Sequence, residues 1–471
     1  MTDLPRWRLA ALSLAMLLPS LGISIANVVL PSLATSFAAS FQDVQWVVIA
    51  YLLAVTTLIV SAGRLGDMFG RRRLLLIGIG LFAIASAVCA IAPNLWTLLA
   101  GRAVQGMGAA IMMALTVALV ADAVPKERTG SAVGLLGTVS AVGTALGPSL
   151  GGALLAWFGW PAVFVFMAVT AAITLVFGVL LLPADRPGSR MPAAFDVVGT
   201  ILLALSLGAY ALSTSLSSAL SGISIALLAG LAALGLLAFF AHERRTPSPL
   251  IRMDLLRDSA LNAGLVTLAL VSAIVMATLV VGPFYLSTVL GLSPVHAGLV
   301  MSIGPAVAAL VGVPAGRLVD RVGPPTVTIA GLVGVAAGSV LMTLLPGWFG
   351  VTGYVTALAV ITAGYALFQA ANNTAIMNTA TGELRGVTSA LLGLSRNLGL
   401  ITGASAMGAL FALGSRGVAL WGLDAGGGEA GMRLAFAVAT AGAALAILVA
   451  AWGIRSRPQA AVDQMAITRV E

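Results

Sequence analysis

Residues 44–91 read VQWVVIAYLLAVTTLIVSAGRLGDMFGRRRLLLIGIGLFAIASAVCAI. Two apolar runs, 44–63 and 74–91, flank a short loop that holds Arg64 and three consecutive arginines, Arg71–Arg73. A helix needs about 20 apolar residues to cross the hydrocarbon core of a bilayer. Because barrel strands would alternate polar and apolar residues in segments of about ten, runs of this length predict helices. This stretch therefore predicts two membrane-spanning helices joined by a basic loop.

The composition of the whole chain extends this pattern. Of its 471 residues, 60% are hydrophobic and 8% are charged, whereas a soluble globular protein carries about 25% charged residues. These values exclude a soluble enzyme, a nucleic-acid binder and a disordered chain, although the net charge is +8. One cysteine, Cys89, and two histidines, His242 and His296, are too few for a disulfide or a His/Cys metal cluster. We therefore expect a polytopic membrane protein without a cofactor or a metal.

Apolar runs between charged or Gly/Pro-rich breaks give fourteen candidate spans. With the N-terminus in the cytoplasm, 20 of the 24 basic residues fall on the inner side, as the positive-inside rule requires. The first run is longer than the apolar core of a signal peptide, so we expect it to be retained. The sequence thus predicts an all-α, multi-pass protein of the inner membrane with both termini in the cytoplasm. The candidate spans are 9–30, 44–63, 74–91, 96–122, 131–155, 161–182, 197–214, 221–241, 261–282, 295–316, 326–345, 350–372, 386–412 and 432–454.

Two parts of the chain repeat each other. The segment Gly63–Gly70 (GRLGDMFG) recurs 253 residues later as Gly316–Gly323 (GRLVDRVG), and six further glycine and leucine positions align at an offset of 256. Spans 1–6 therefore match spans 9–14 in the same orientation, which predicts two six-helix bundles related by a pseudo-twofold axis along the membrane normal. Two bundles that face a midplane cavity suit a transporter, and an old duplication without a mechanical role is the alternative. The predicted division is an N-terminal bundle at 1–182, linkers with two inserted helices at 183–260, a C-terminal bundle at 261–454 and a tail at 455–471.

The loop Gly63–Arg73 resembles the signature loop G-x-L-x-D-x-x-G-R-R of the major facilitator superfamily. Glycines allow a tight reversal, and Asp67 can face the positive end of a neighbouring helix. In that family the acidic residue latches the two halves together, whereas a basic loop that only sets membrane orientation is the alternative. The residues to which the resemblance gives this role are Gly63, Asp67, Gly70, Arg71 and Arg72, with Gly316, Asp320, Arg321 and Gly323 as their counterparts in the second half.

Span 5 carries the sequence GTALGPSLGG at Gly143–Gly152, which resembles the antiporter motif G-x-x-x-G-P-x-x-G-G of the same superfamily. Small residues four apart open a groove for close helix packing, and the proline removes one backbone hydrogen bond and kinks the helix. The resemblance implies an exporter, whereas ordinary small-residue packing in a chain with 54 glycines is the alternative. The motif positions are Gly143, Gly147, Pro148, Gly151 and Gly152.

Span 4 contains an arginine, Arg102, followed three residues later by Gln105 on the same helix face. A charge at this depth costs at least about 2.5 kcal/mol on insertion scales, so it marks a candidate functional residue. The surrounding segment LAGRAVQG resembles the superfamily motif whose arginine is linked to proton transfer. A static hydrogen-bond anchor to the ends of neighbouring helices is the alternative, and the sequence leaves both open.

Several short segments resemble the fourteen-span drug:proton antiporter branch of the superfamily. That branch usually has an acidic residue near the end of span 1, where this chain has Gly22, although Asn27 and Pro31 of the same pattern are present. No acidic residue lies near a predicted span centre, so the usual carboxylate that carries the proton is missing. The remaining acidic candidates are Asp43, Asp67, Asp122 and Asp196, and the resembling segments are Trp46–Leu53, Phe195–Gly199, Asn372–Asn373 and Arg396–Gly399.

The predicted cavity wall combines one face of span 1, the arginine side of span 4 and a second arginine in span 13. Two arginines without a deep carboxylate favour neutral, zwitterionic or anionic solutes. The predicted pathway residues are Asn27, Arg102, Gln105, Asp122, Arg396 and Asn397.

Taken with the resemblance, the sequence predicts a secondary-active transporter that exports small amphipathic compounds by alternating access, coupled to inward proton movement. The alternative is an exporter of one neutral or anionic metabolite or antibiotic with weak or no proton coupling, because Gly22 replaces the expected acid. A receptor or a membrane enzyme is a remote third hypothesis, since no His, Cys or carboxylate constellation lies within a predicted span. The expected partners are a small-molecule substrate, protons and the lipid bilayer, with no nucleic acid and a monomeric state.

Overall fold

A computed structural model describes residues 6–123, 129–185, 196–215, 222–246, 257–379, 384–415 and 427–455. Within these ranges every regular element is a helix. Two π-helical segments, Tyr285–Val289 after α9 and Gly403–Met407 between α12 and α13, interrupt the α-helices. The α-helices are α1 (Arg6–Ser36), α2 (Phe41–Phe69), α3 (Arg71–Ala90), α4 (Leu95–Ala123), α5 (Thr129–Phe158), α6 (Pro161–Leu181), α7 (Val197–Ser215), α8 (Gly222–Glu243), α9 (Ser259–Phe284), α10 (Pro294–Val322), α11 (Pro324–Thr379), α12 (Leu384–Thr402), α13 (Gly408–Ser415) and α14 (Gly428–Arg455).

Twelve helices in the described ranges are long and apolar enough to cross a membrane. The longest, α11, contains Gly350 with φ 53° and ψ −127°, values outside the helical region, so two helical segments meet there. The segment Val142–Phe158 of α5 is a shorter apolar stretch. The fold is therefore an all-α membrane fold, while the number of fourteen spans and the location of the termini stay predictions. We name the two ends of the bundle according to the predicted orientation. The outer end holds the α1–α2 connection, and the inner end holds the α2–α3 connection.

Helices extend past the predicted apolar runs because polar residues cap them. Before α2, the backbone N–H of Asp43 donates to Oγ of Ser40 at 3.1 Å, and the backbone N–H of Ser40 donates to Oδ2 of Asp43 at 3.1 Å. Asp258 caps α9 by accepting hydrogen bonds from two backbone N–H groups of its first turn. Such caps satisfy the N–H groups that a helix leaves free at its start. As a result α2 begins three residues before the predicted run 44–63.

Corresponding helix pairs of the two halves pack through the same backbone contact. A Cβ atom on Gly108 of α4 would come within 2.6 Å of the backbone oxygen of Gly78 in α3. In α11 a Cβ atom on Gly364 would come within 2.7 Å of the backbone oxygen of Gly331. The two pairs correspond at the sequence offsets of 253 and 256. The repeat in the sequence is therefore also a repeat in helix packing.

Buried apolar side chains form one large core that runs through both halves, from Leu12 of α1 to Ala450 of α14. A second, smaller cluster lies where α7 and α8 meet the second half, with Leu203, Phe239 and Leu394 among its members. The two halves thus share apolar contacts in this conformation.

The hairpin of α7 and α8 lies between the two halves in the sequence and contacts both. Oγ of Ser61 in α2 lies 3.0 Å from Oγ1 of Thr200 in α7, and the hydroxyl of Tyr210 donates to Oγ1 of Thr402 in α12 at 3.0 Å. In contrast, α8 leaves most of its surface exposed. The hairpin therefore bridges the halves through α7 and presents α8 on the outside of the protein.

Candidate functional site

Arg102 of α4 is fully buried in the first half, and three of its nitrogens donate hydrogen bonds. Nε donates to the backbone oxygen of Val47 at 2.8 Å, and Nη2 donates to the backbone oxygen of Gly22 at 3.1 Å. Nη1 donates to Oε1 of Gln105. The guanidinium carbon lies 4.2 Å from the ring centroid of Tyr51, a cation–π contact. Arg102 therefore ties α1, α2 and α4 together.

Gln105 carries this network on to α3 and α6. Its Nε2 donates to Oγ of Ser86 at 2.6 Å and lies 3.8 Å from Sδ of Met167. Because these side chains are fully buried, losing one partner would leave a polar group unpaired away from water. The network thus joins five of the six helices of the first half around one charge.

Gly22 lies at the edge of the same network. A Cβ atom at this position would lie 3.2 Å from the hydroxyl oxygen of Tyr51, which itself donates to the backbone oxygen of Pro19 at 2.9 Å. An acidic side chain at residue 22 would therefore enter the network beside Arg102. In this chain the acceptor that residue 22 offers to Arg102 is its backbone oxygen.

Two buried amides of the first half keep atoms without a hydrogen-bond partner among the described residues. Nδ2 of Asn27 donates to the backbone oxygen of Ile23 at 2.8 Å, while Oδ1 has no partner. Neither amide atom of Gln45 in α2 has a partner, and this amide lies against Gly408 of α13, where a Cβ atom would overlap it. Unpaired buried amides are unfavourable. Both are therefore candidates for contacts that form with a solute or in another conformation.

Arg396 and Asn397 of α12 are the polar pair that the sequence predicts for the second half. Asn397 is 1% exposed and Arg396 is half-buried. Among the described residues, Nε of Arg396 and Nδ2 of Asn397 are buried without a hydrogen-bond partner. The neighbouring Ser395 instead donates to the backbone oxygen of Leu265 in α9. The two intramembrane arginines thus differ, because the donors of Arg102 are used inside the protein and Nε of Arg396 is not.

Three glycines of α5, spaced four residues apart, form its contact with α1. A Cβ atom on Gly143 would come within 2.6 Å of the backbone oxygen of Leu17. Gly147 and Gly151 continue the contact along Ile25. A Cβ atom on Gly147 would lie 2.8 Å from the backbone nitrogen of Ile25, and one on Gly151 would lie 2.9 Å from its Cγ1. Side chains at these positions would push the two helices apart, so the glycine spacing brings α1 and α5 together at backbone distance.

The other face of this segment touches α10 of the second half. A Cβ atom on Gly298 would lie 2.6 Å from the backbone oxygen of Pro148 and 3.1 Å from Cα of Gly152. Pro148 lies inside α5, where it removes one backbone hydrogen bond of the helix. The antiporter-like segment is therefore a place where the first half meets the second.

An aromatic cluster joins the halves at the outer end. The ring of Phe41 in α2 lies 4.4 Å from that of Phe284 in α9 and 5.1 Å from that of Phe411 in α13, measured between centroids. These rings, the amide of Gln45 and the α5–α10 contact all lie in the outer parts of their helices. In this conformation the two halves are therefore in contact with each other at the outer end.

The loop Gly63–Arg73 turns at Gly70, whose φ of 96° favours glycine. Asp67 accepts a hydrogen bond from Nε of Arg71 at 2.9 Å, an ion pair one helical turn apart. The position of a Cβ atom on Gly63 is open space. In this conformation the described partner of Asp67 thus lies in its own loop.

Asp185, which follows α6, caps the start of α3. Its carboxylate accepts hydrogen bonds from the backbone N–H groups of Arg72 and Arg73 at 2.9 and 3.1 Å. Arg72 in turn donates to the backbone oxygens of Leu182 and Val179 at 2.9 and 2.8 Å. Arg72 therefore fastens α3 to the inner end of α6.

The second-half loop ends in a similar turn, with φ of 93° at Gly323. Asp320 and Arg321 are exposed at the inner end of α10, and a Cβ atom on Gly316 would meet open space. The two loops therefore share the glycine turn, while the described ion pair belongs to the first.

Two acidic candidates remain, Asp122 and Asp196. Asp122 belongs to the last turn of α4, and its side chain lies outside the described part of the chain. Asp196, directly before α7, accepts hydrogen bonds from the backbone N–H of Gly199 and from Nε2 of His242, both at 2.8 Å. Burial raises the pKa of Asp196, but hydrogen bonds from Gly199, His242 and Glu243 outweigh it and hold this pKa below its usual range. Among the described residues no group of three His, Cys, Asp or Glu side chains could hold a metal ion.

Sequence reasoning missed Gln45, Asp185 and the contact of His242 with Asp196. Asp185 and Arg72 are 113 residues apart in the chain, so no local pattern connects them. A polar residue inside an apolar run was the available signal for Gln45. These contacts depend on which helices become neighbours, which the local sequence does not specify.

The chain is similar to membrane transporters. A family model described as Major Facilitator Superfamily matches residues 12–404. The chain is 33% identical over 386 residues to the uncharacterized transporter YebQ of Escherichia coli strain K12, covering 81% of this chain and 84% of that protein. It is 30% identical to the multidrug efflux pump LfrA of Mycolicibacterium smegmatis, covering 86% of this chain and 80% of that protein. It is also 30% identical to the riboflavin transporter RibZ of Clostridioides difficile, covering 83% and 84%.

Solved transporter structures share the fold. A bacterial homolog to the human lysosomal transporter Spinster superposes with a TM-score of 0.70 at 16% identity, over 97% of this chain and 98% of that one. The nucleoside transporter NupG gives a TM-score of 0.67 at 13% identity, over 95% and 99%. At these identities the likeness concerns the fold alone.

Proposed function

Because the chain belongs to the major facilitator superfamily, we propose that it exports small amphipathic compounds by alternating access, driven by inward proton movement. It is a multi-pass inner-membrane transporter with multidrug-efflux proteins among its relatives, and it is not an enzyme. The superfamily carries small molecules, and the proposal concerns the direction of transport, its energy source and the residues involved.

The segment Gly143–Gly152 of α5 is the observation that carries export. It packs against α1 on one face and places the backbone around Pro148 on Gly298 of α10, with no side chain between them. A backbone contact between the halves can separate and form again without a large side chain having to repack. In the proposal, the outer end opens at this α5–α10 contact and at the aromatic cluster of Phe41. The resemblance of the segment to the antiporter motif supports the outward direction.

The predicted site residues take two kinds of role in this proposal. Arg102 and Gln105 hold the wall helices of the first half in position, since their hydrogen bonds go to protein groups. Asn27, Arg396 and Asn397 face the transported compound, since each has an atom without a partner. The signature loop around Asp67 closes the inner end in the opposite conformation, with the loop of Asp320 as its counterpart.

The proton requires an acidic residue that is not committed to another structural task. Asp43 belongs to a capping box and Asp67 to a loop ion pair. Asp196 is engaged as well, because it accepts hydrogen bonds from the backbone of Gly199 and from His242. We therefore propose that Asp122, the candidate nearest to Arg102 in the sequence, carries the proton.

Export without proton coupling is the second candidate function. Its support is the hydrogen bond from Arg102 to the backbone oxygen of Gly22, at the position where the related branch has an acid. With no carboxylate beside the arginine, the usual partner for a proton is absent from this network among the described residues.

Proteoliposomes with an imposed pH gradient test both candidates. Lumenal pH and compound movement are followed together as a panel of amphipathic compounds is added, for the wild type and for Asp122→Asn and Asp196→Asn. Asp43→Asn, which alters only a helix cap, is the matched control. We expect compound-dependent proton flux that disappears in Asp122→Asn and persists in Asp196→Asn and in the control. Compound movement without proton flux would favour the uncoupled exporter, and the absence of any movement would contradict both.

A further inference from the structure

The depth of Arg396 restricts what its charge can meet. It lies 12 residues after Leu384, the first residue of α12, which at 1.5 Å per residue is about 18 Å along the helix. The helical segments continue to Ser415, about 48 Å in all, so a hydrocarbon core of about 30 Å centred on them places Arg396 inside the core, in its inner half. Charged side chains at such depth face the protein interior or a water-filled cavity rather than lipid. The partial exposure of Arg396 therefore points to accessible space inside the bundle.

The unpaired atoms at this place are donors. Nε of Arg396 and Nδ2 of Asn397 are buried N–H groups without an acceptor among the described residues. The described ion pairs of the chain involve other basic residues, namely Arg71, His242 and Arg433. A guanidinium has only donors and no acceptor. Two adjacent residues thus present donors that only an acceptor, and best an anion, can satisfy.

Side chains other than Arg396 tie α11 and α12 to α9 by hydrogen bonds. The neighbouring Ser395 donates to the backbone oxygen of Leu265 in α9. One helix away, Nδ2 of Asn372 in α11 donates to the backbone oxygen of Gly264 at 3.3 Å. These bonds already fasten α11 and α12 to α9, in the way that Arg102 fastens helices of the first half. The donors of Arg396 are therefore available to a ligand.

The surroundings of Arg396 suit an amphipathic ligand. Its charge acts on the hydroxyl of Tyr365 in α11, and this hydroxyl accepts a hydrogen bond from Nε2 of Gln369 at 3.2 Å. Tyr365 and Gln369 are both half-buried. An aromatic ring with a few placed polar groups is the usual wall of a small-molecule pocket.

We propose that Arg396 and Asn397 form a recognition site for the carboxylate of an amphipathic organic anion in the second half of the transporter. This proposal rests on the transport function proposed above and names its substrate class. The carboxylate accepts hydrogen bonds from the guanidinium and from Nδ2 of Asn397, while the apolar part of the compound lies toward Tyr365. Neutral compounds of the same shape bind less tightly, because they leave the guanidinium without a counter-charge.

Three fluorescent probes of one shape test this site. Binding of 1-pyrenebutyrate, its neutral primary amide and the corresponding trimethylammonium cation is measured by fluorescence on purified protein, without a membrane gradient. The variants are Arg396→Gln, Arg396→Lys and Asn397→Leu. Arg433→Gln is the matched control, since Arg433 pairs with Glu429 of its own helix near the outer end. Thermal unfolding checks that each variant is folded.

We expect the wild type to bind the carboxylate about 10- to 100-fold more tightly than the amide, the range of one charge-assisted hydrogen-bonded contact. Arg396→Gln removes this preference, Arg396→Lys keeps part of it, and Arg433→Gln keeps it all. If Arg396→Gln does not fold, Asn397→Leu still has to weaken carboxylate binding selectively. A wild type that binds all three probes equally, or a preference that survives in Arg396→Gln, would overturn the proposal.

This binding measurement and the proteoliposome assay together separate this site from the export mechanism. A carboxylate preference that depends on Arg396, found in a protein that moves no compound, supports the site and contradicts the proposed export. Export of compounds with no such preference contradicts the site and leaves the proposed export standing.

Discussion

In the first half of the chain Arg102 donates hydrogen bonds to Val47 and Gly22, whereas the corresponding position of the second half, 256 residues later, is the buried apolar residue Leu358. The charge of the second half lies instead on Arg396 of α12, which has an unpartnered Nε. The duplicated halves have therefore diverged in where they bury a charge and in what that charge contacts. One half is fixed around its arginine, and the other presents its arginine to a ligand.

Backbone contacts have changed much less than the polar residues. Gly143 of α5 lies against the backbone oxygen of Leu17, and Gly399 of α12 lies against the backbone oxygen of Ala269 in α9. The glycine positions are again 256 residues apart. Helices that touch through their backbones leave no room for a side chain, so these positions tolerate little change. Polar side chains face cavities or one another. During divergence, a polar residue can therefore be lost from one helix and gained on another without altering how the helices pack.

The two halves also break the regularity of the same helix by different means. Pro148 interrupts α5, and the residue 256 positions later is Ala404, inside the π-helical segment Gly403–Met407. A proline removes one backbone hydrogen bond, and a π-helical turn changes the hydrogen-bond register. The sequence signals the first break and carries no comparable signal for the second.

The largest expected effect is a difference in stability between variants of the two intramembrane arginines. Arg102→Leu leaves Gln105 and two backbone oxygens without their donor, and we expect it to lower the free energy of unfolding by about 3–5 kcal/mol. Arg396→Leu removes no described hydrogen bond, so we expect less than about 1 kcal/mol. Reaction of the single buried thiol, Cys89, with a fluorescent reagent during heating measures unfolding. Equal decreases in the free energy of unfolding of the two variants would contradict the difference between Arg102, which is hydrogen-bonded inside the protein, and Arg396, whose Nε has no described partner.

A smaller effect tests the backbone contacts that the halves share. A Cβ atom in Gly108→Ala would lie 2.6 Å from the backbone oxygen of Gly78, and one in Gly364→Ala would lie 2.6 Å from the backbone nitrogen of Val335. Since backbone atoms cannot move aside, we expect each change to destabilise by about 1–3 kcal/mol. Gly208→Ala, which meets open space in α7, is the control and should be neutral or slightly stabilising. A neutral result at one of the two contact positions would show that the shared packing is tighter in one half only.

The smallest effect concerns the hairpin, which has no counterpart in the repeat. The pKa of Asp196 is held below its usual range, so its stabilising contribution is present above about pH 4 and is lost as the pH falls through its folded value. In detergent solution below about pH 4, we expect the wild type to lose its stability advantage over Asp196→Asn that it has at neutral pH. The measurement is the unfolding midpoint against pH. Parallel pH profiles would show that Asp196 adds nothing to the anchoring of the hairpin.

Much of the fold could be predicted from the sequence because it depends on local apolar content and on glycine spacing. The membrane-spanning helices follow from run length, and the α1–α5 contact follows from glycines four residues apart. Helix ends were less accurate, because caps such as Ser40–Asp43 extend a helix beyond its apolar run. Within α11 the non-helical Gly350 separates two helical segments, next to the break that the sequence predicts between the runs 326–345 and 350–372.

The candidate site was harder to predict because its decisive partners are backbone atoms. The sequence left Arg102 as either a proton-transfer residue or an anchor, and the acceptors at Val47 and Gly22 are carbonyl oxygens that every residue has. Which carbonyl meets a buried charge depends on how three helices cross. For Arg396 the decisive observation is a missing partner, which only the packed structure provides.

Through the exposed helix α8, the surrounding bilayer can affect the contacts that the hairpin makes with the two halves. It spans 22 residues, about 33 Å at 1.5 Å per residue, and most of its large apolar side chains are exposed. Its partner α7 holds Thr200 beside Ser61 of the first half and Tyr210 beside Thr402 of the second. A bilayer thinner than α8 tilts the hairpin, because hydrophobic mismatch is relieved by tilt. Membrane thickness, a property of the lipids alone, therefore acts on both of these contacts at once.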